Sequence, residues 1–439
     1  MTNIQQRREK LKQFLELIIK KEEEIINALQ KDFKKPAFET YVTEIFVVQS
    51  DLRHLIKNMV NWSKPKKVAG SWLNFPSSNY IYREPYGKVL VISPWNYPFQ
   101  LAICPALWAF AAGNSVVLKP SELAPNTASL LSEMIREIFE VKELVAVLGD
   151  VEIAKNLLQK KWDYIFFTGS PKVGIEIARA AAKNLTPVTL ELGGKNPCIV
   201  HKSAKIELAA KKIAWGKFLN AGQTCIAPDY LLVDDAIKNK FIEAIKKEII
   251  SFFGSDIAKS DDYARIINRK HYNRLKKLLE SQNVIFGGDT IEDDHFVAPT
   301  LVENPSLESD IMQDEIFGPI LPILTFSSSE DIEKIISKYD KPLSLYVFAE
   351  DKNFSEKIIK KYPFGGGCVN DVIIHFSNKN LPFGGVGKSG IGAYHGKDNF
   401  LVFCHQKSIV KKATWADLTP RYAPYGNRLK FLKKIMRWL

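Results

Sequence analysis

Lys88-Val89-Leu90-Val91-Ile92-Ser93-Pro94-Trp95-Asn96-Tyr97-Pro98 is an apolar run that ends in a polar loop bracketed by prolines. A short apolar run without alternation reads as a strand buried on both faces. The stretch Phe99–Ala112 beyond it reads as a helix, and the same unit then repeats. Strand Ser115–Leu118 leads to a helix near Thr127–Phe139, and strand Leu144–Leu148 to a helix near Val151–Gln159. Strand Tyr164–Thr168 leads to a helix near Pro171–Lys183, and strand Val188–Leu192 closes the series. Strands alternating with helices specify a parallel sheet covered on both faces. Ligands of such sheets lie at the carboxyl ends of the strands. The loops Ser93–Tyr97, Lys119–Glu122 and Gly169–Gly174 are therefore expected to line one crevice.

Upstream, residues 4–31 read as one amphipathic helix. A second follows, with Tyr41, Ile45, Val48, Leu52, Leu55, Ile56 and Met59 on one face. Residues 71–85 alternate aromatics and read as one or two strands, Ser71–Phe75 and Tyr80–Arg83. Downstream, a second β/α series starts near Cys198–Val200. It continues through a helix over 205–218, the loop holding Cys225, strand Tyr230–Val233 and a helix over 236–252. Strands near Val347 and Cys368–Val369 join it. The tail 412–439 carries Pro420 and Pro424 and then the basic amphipathic stretch Arg428–Leu439. Such a stretch can lie on an anionic membrane surface, or dock on the protein itself.

A chain of 439 residues exceeds the ~250–300 at which single cores stop growing, so more than one domain is expected. The 61 basic and 49 acidic residues leave a net charge of +12, spread along the chain without a long basic block. That reads as a lysine-rich solvated surface, and no nucleic-acid motif accompanies it. The five cysteines (Cys104, Cys198, Cys225, Cys368 and Cys404) are isolated, which argues against a disulfide framework and a zinc ribbon. A reducing, cytoplasmic setting is expected. No histidine sits at metal-ligand spacing, so no metal is expected. Met1–Lys12 is charged and lacks an apolar core, so no signal peptide is expected. No run of ~18 apolar residues predicts a membrane-spanning helix.

Chemistry concentrates in a few places. Cys225 stands in Asn220-Ala221-Gly222-Gln223-Thr224-Cys225-Ile226-Ala227-Pro228, beside a polar pair and what reads as a helix end. Thiolates are favoured at helix N-termini and near cations, so Cys225 is a candidate nucleophile; the alternative is a small core residue. Glu191 ends an apolar strand before Gly193-Gly194-Lys195, as a general base or as the partner of Lys195. Asn96 is a candidate oxyanion donor, or a turn residue beside proline. Gly169-Ser170-Pro171-Lys172-Val173-Gly174 follows a strand and opens a helix, where backbone N–H groups can meet an anion, or is an ordinary strand–helix turn, since its spacing is not the usual fingerprint. Gly385-x-Gly387-x-x-Gly390 matches the dinucleotide fingerprint only literally, because no strand precedes it. Gly387-Lys388-Ser389 is not a P-loop end, since Pro382 stands where the first glycine is required.

Seven blocks then occur in a telling order. They are Ser93-Pro94-Trp95-Asn96-Tyr97-Pro98-Phe99, Leu118-Lys119-Pro120-Ser121-Glu122, Phe166-Phe167-Thr168-Gly169-Ser170, Glu191-Leu192-Gly193-Gly194-Lys195, Gly222-Gln223-Thr224-Cys225, Glu315-Ile316-Phe317-Gly318-Pro319 and Pro382-Phe383-Gly384-Gly385. Together they resemble the aldehyde dehydrogenase superfamily. The short N-terminus, the Cys-Ile-Ala-Pro-Asp-Tyr continuation at 225–230 and Tyr394-His395-Gly396-Lys397 resemble its class 3, fatty and aromatic aldehyde branch.

The resemblance implies an α/β fold: a Rossmann-like cofactor domain over 1–70 and 86–194, and a second α/β catalytic domain over 195–403. It also implies a small strand arm over 71–85 and 404–411 that pairs with a second subunit, so a homodimer is expected. The implied activity is NAD(P)-dependent oxidation of medium- or long-chain aliphatic or aromatic aldehydes to acids, through a cysteine thiohemiacetal and a thioester. Cys225 would be the nucleophile, Glu191 the base that activates water and Asn96 the oxyanion donor. Lys119 and Glu122 would meet the adenosine ribose, and Gly169, Ser170 and Gly174 the pyrophosphate. Glu315 and Phe317 would hold the nicotinamide ribose, and Phe383 would line the nicotinamide side. Trp95 and Tyr97 would wall the substrate funnel. Glu122 leans to NAD, whereas Pro171-Lys172 departs from the superfamily's usual small or acidic pair and leaves NADP open. The branch's membrane-anchored members make the tail over 426–439 a candidate peripheral membrane contact on a cytoplasmic protein.

Overall fold

The computed structural model describes residues 3–417 and 421–435. The chain forms two compact units. One runs up to Trp62 and continues over Pro85–His405; the other joins Ser63–Glu84 to the described residues from Gln406 onward. Strands β1 (Lys66–Val68) and β2 (Ser77–Pro85) precede β3 (Lys88–Ile92), β4 (Ser115–Lys119), β5 (Leu144–Ala146), β6 (Tyr164–Thr168) and β7 (Val188–Glu191). Next come β8 (Pro197–Val200), β9 (Tyr230–Asp234), β10 (Val284–Phe286), β11 (Thr290–Ile291), β12 (Phe296–Val297), β13 (Thr300–Glu303), β14 (Ile320–Phe326), β15 (Ser344–Phe348) and β16 (Gly366–Val369). The last two are β17 (Gly390–Ile391) and β18 (Cys404–Lys412).

In the larger unit the first sheet has the order β17-β7-β6-β3-β4-β5. Strands β3 to β7 are parallel to one another, whereas β17 runs antiparallel to β7, and Ile92 lies opposite both Lys119 and Phe167. The chain winds outward from β3 through β4 to β5, then resumes on the other side with β6 and β7. That reversal is a switch point, which opens a crevice at the carboxyl edge. Val89, Leu90 and Val91 are fully buried, each contributing roughly 1.5–3 kcal/mol. The helix Gln100–Ala112 is apolar on nearly every side and buried along almost its whole length, as such helices are when enclosed by core.

The second sheet has the order β10-β13-β14-β9-β8-β15-β16, with only β10 antiparallel to its neighbour. The chain leaves the carboxyl edge of the first sheet at Glu191 and enters the amino edge of the second at Pro197. The segments before β9 and β14 reach that same amino edge. One sheet's carboxyl edge and the other's amino edge therefore supply the two walls of a single cleft.

The smaller unit is a three-stranded sheet of order β1-β2-β18. The Lys411 ammonium sits 5.1 Å from the centre of the Tyr80 ring. The helix Arg428–Ile435 follows, with Leu429, Phe431 and Leu432 exposed. The rest of the predicted tail helix, Met436–Leu439, lies outside the described residues. Among the described residues no helix is long and apolar enough to cross a membrane.

Three local expectations are corrected. The first predicted helix is two, Ile4–Lys20 and Glu22–Phe33, broken at Lys21. No apolar side chain lies between Ile19 and Ile25 to hold one axis, and Glu22, Glu23 and Glu24 favour the positive end of a new helix. Trp72–Asn74 is a 3₁₀ turn rather than a strand. A π-turn over Tyr41–Ile45 opens the helix that continues over Phe46–Trp62. It rotates the buried face, so Tyr41 is exposed while Glu44 is fully buried.

Candidate active site

Cys225 follows a tight turn. Asn220, Ala221 and Gly222 all have left-handed backbone (φ 56°, 51° and 72°). A side chain at Gly222 would collide with the carbonyl of Gly318, so glycine lets this loop press against the Glu315–Pro319 loop. Left-handed non-glycine residues cost of order 1–3 kcal/mol each and persist only where the surroundings over-determine them. Here they do. The Asn196 amide donates to the carbonyls of Cys225 (2.7 Å) and Ala227 (3.1 Å), and the Tyr346 hydroxyl to that of Ile226 (2.6 Å). The Gln223 amide donates to the carbonyls of Asn220 (3.1 Å) and Arg265 (3.0 Å), and its oxygen accepts from Ile267 N–H (3.1 Å).

Cys225 sits in a turn, three residues past the end of the helical segment that closes at Gly222, so no helix N-terminus favours its thiolate. The groups that favour its thiolate are two backbone N–H groups, its own and that of Ile226. Burial, reinforced by the carboxylates of Glu315 and Glu191, outweighs them and pushes the thiol up to about 12.

Glu191 ends β7 and is 3 % exposed. Neither carboxyl oxygen has a hydrogen-bond partner among the described residues. Lys195 pairs with Asp229 instead, at 2.6 Å, and donates to the Ile311 carbonyl at 2.9 Å. Burial pushes the Glu191 carboxyl well above its ordinary range. An unpaired buried carboxyl is costly, and such groups concentrate where chemistry is done.

Asn96, just past β3, is also buried. Its amide donates to the Gln223 carbonyl at 3.0 Å, and its own carbonyl accepts from the Asn220 amide at 2.8 Å. Its partners lie 124 and 127 residues away, so it is no local turn device. An amide nitrogen carries two hydrogens, so one remains for an incoming oxygen.

The residues assigned to a nucleotide sit around the same cleft. The Lys119 ammonium, at the end of β4, is held by the Pro120 carbonyl (2.8 Å) and Glu122 (2.9 Å). Ser170 caps the helix Pro171–Ala182, and Gly169 N–H donates to the Glu191 carbonyl at 3.0 Å. Gly174 packs where any side chain would strike Leu192. Glu315 accepts from Gly194 N–H, and burial pushes its carboxyl up to about 8. Phe317 meets Trp95 edge-on at 5.3 Å, and Trp95 lies 5.0 Å from the His271 ring. Phe383 packs 5.4 Å from Tyr394. Two carboxylates suited to ribose hydroxyls, an ammonium and a helix N-terminus at a switch point fit a dinucleotide.

On the substrate side, Tyr97 is buried with its hydroxyl 2.6 Å from that of Thr224. A largely apolar pocket of about 120 Å³ opens nearby, lined by Leu101, Cys104, Trp108, Phe166, Phe376 and Tyr394. Asp51 lies in its wall, pushed up to about 6 by burial and bonded by the indole N–H of Trp108. Sequence reading missed these lining residues, which come from distant segments. It also missed Asn196 and Asp229, although both continue motifs it had singled out. Asp229 accepts from Ile316 N–H at 2.9 Å and so ties the Lys195 and Glu315 loops together.

Comparison with known proteins adds the family. The aldehyde dehydrogenase family model matches residues 1–409. The 4,4'-diaponeurosporen-aldehyde dehydrogenase of Staphylococcus aureus is 45% identical over 433 residues, covering 98% of this chain and 94% of that protein. A dog aldehyde dehydrogenase, described as dimeric and NADP-preferring, is 41% identical over 423 residues, covering 96% and 93%. The substrate-bound state of Staphylococcus aureus AldH superposes with a TM-score of 0.96 at 44% identity, over 99% of this chain and 95% of that one.

Proposed function

The chain belongs to the aldehyde dehydrogenase family, and on that premise we propose that Cys225, Glu191 and Asn96 carry its reaction. The protein is an oxidoreductase that oxidises aldehydes with NAD or NADP. Once deprotonated, the Cys225 sulfur adds to the aldehyde carbon, and the carbonyl oxygen becomes an oxyanion. The free amide N–H of Asn96 and the backbone N–H of Cys225 receive that charge; one such donor is worth ~2.7–4 kcal/mol. When bound, the oxidised nicotinamide supplies the hydride acceptor that leaves a thioester on Cys225. Glu191, ionised, then takes a proton from a water whose oxygen adds to the thioester carbon. The thiolate leaves and the carboxylic acid is released.

Lys119 and Glu122 would hold the adenosine ribose, and Gly169, Ser170 and Gly174 the pyrophosphate. Glu315 and Phe317 would hold the nicotinamide ribose, with Phe383 beside the ring. The apolar pocket suits the chain of a medium- or long-chain aliphatic or aromatic aldehyde. Trp95 and Tyr97 would wall the substrate funnel. The two sheets support a division into a cofactor domain (1–70, 86–194) and a catalytic domain (195–403), although β17 (Gly390–Ile391) joins the first sheet and residues 63–70 lie in the smaller unit. The arm would pair two copies into a homodimer; the dog relative is described as dimeric. A cytoplasmic protein is the reading we favour, on which Leu429, Phe431 and Leu432, exposed beside basic residues, would either rest on anionic lipid or dock on the protein itself. Equal sedimentation with anionic vesicles by a chain truncated before Arg428 would refute the lipid contact.

The observation that carries the mechanism is the unpartnered, buried carboxyl of Glu191 in the cleft that Asn96 and the Cys225 loop share. The test is reduced-nicotinamide absorbance with hexanal, a long-chain aldehyde and benzaldehyde, each with NAD and with NADP. Activity that disappears in Cys225→Ala supports the reading; activity that survives the substitution overturns it.

A further inference from the structure

Lys35 and Glu44 meet at 2.8 Å with both side chains wholly excluded from solvent. A buried ion pair is seldom a net source of stability, because desolvation offsets the attraction. This one is placed to do something else. The second carboxylate oxygen of Glu44 accepts from the backbone N–H groups of Phe99 (3.2 Å) and Gln100 (2.8 Å). Those are the first groups of the helix Gln100–Ala112, which has no capping side chain of its own. Glu44 supplies that cap from another helix, three residues after Asn96.

Lys35 reaches the same loop from a different direction. Its ammonium lies 4.0 Å from the centre of the Tyr97 ring, a cation–π contact in a desolvated setting. The Tyr97 hydroxyl bonds that of Thr224, next to Cys225. Between the two, Glu39 accepts from Asn220 N–H at 3.0 Å, and Asn220 is the residue that bonds the Asn96 carbonyl. One short segment, Lys35–Glu44, therefore grips both the Asn96 loop and the Cys225 loop.

We propose that the Lys35–Glu44 pair is a positioning element that fixes the Asn96 amide relative to the Cys225 sulfur, so that the oxyanion is met without reorganisation. The inference rests on the reading of Asn96 as the oxyanion donor. Neither residue touches the reacting atoms. Their loss is expected to lower kcat and leave binding nearly intact, since the cofactor side of the cleft is built from other segments.

The experiment is a double-mutant cycle of Glu44→Gln with Asn96→Ala in the full-length enzyme, reading kcat and KM for hexanal and for the nicotinamide cofactor. Glu44→Gln keeps the shape and an acceptor oxygen while removing the charge. It is expected to lower kcat by 10- to 100-fold with both KM values within about threefold. In the Asn96→Ala background the same substitution is expected to cost less than twofold, because its route of action is already gone. Effects that multiply, or a change carried by KM, would overturn the proposal. A near-normal kcat for Asn96→Ala alone would instead overturn the reading of Asn96. Lys35→Met breaks the pair from the other side and takes the same cycle if Glu44→Gln does not fold.

Discussion

The Lys195 ammonium lies 2.6 Å from Asp229, although Glu191 is only four residues away along the chain. That choice of partner leaves Glu191 buried with both oxygens unpaired. The ammonium instead holds two loops of the cleft together.

Glu191→Gln should therefore separate function from stability. Without the base, kcat is expected to fall by about 10²–10⁴-fold, while the first turnover of reduced nicotinamide persists. Stability should move the other way. The unfolded chain gives up this proton in the ordinary carboxylate range, whereas the folded protein holds it to much higher pH. The folded state thus binds more protons across that window, and its stability falls as pH rises through it. Thermal unfolding should show the variant gaining on wild type from about pH 4 upward; a gap that shrinks with rising pH would contradict the sign.

Lys195→Met removes one partner of a buried pair and strands Asp229. The expected cost is on the order of 3–5 kcal/mol, read as a lower midpoint in guanidinium denaturation. A loss below about 1 kcal/mol would mean that the pair is solvated in practice.

Burial pushes the Cys225 thiol up to about 12. Its alkylation by iodoacetamide should then rise about tenfold per pH unit between roughly pH 7 and 9. A rate flat across that range would show a thiolate already formed.

Much of this was legible in the sequence, and the exceptions have identifiable causes. The carboxyl-edge loops followed from apolar strands alternating with helices, since that pattern admits few sheets. Glu191 stood out as a carboxyl ending a buried strand, and Asn96 as an amide in the loop just past one. Glu44 was hidden because the π-turn over Tyr41–Ile45 shifts the helical phase by one residue. A regular period places Tyr41 on the buried face, whereas the structure turns Glu44 inward. The Lys195–Asp229 pair was hidden because its partners come from the ends of different strands, 34 residues apart.

Glu122 bonds Lys119 at the end of β4, where a carboxylate would repel a 2′-phosphate. Glu122→Ala should raise the NADP-to-NAD ratio of kcat/KM by about fivefold or more, since one like-charge contact is worth about 1 kcal/mol even at the dielectric of water. An unchanged ratio would place cofactor choice elsewhere.

The most direct measurement is the mass of Glu191→Gln quenched after mixing with hexanal and NAD. The account predicts a hexanoyl adduct on the peptide bearing Cys225, formed in step with the first turnover of reduced nicotinamide. Reduced nicotinamide without any adduct, or an adduct on another residue, would contradict covalent catalysis by Cys225.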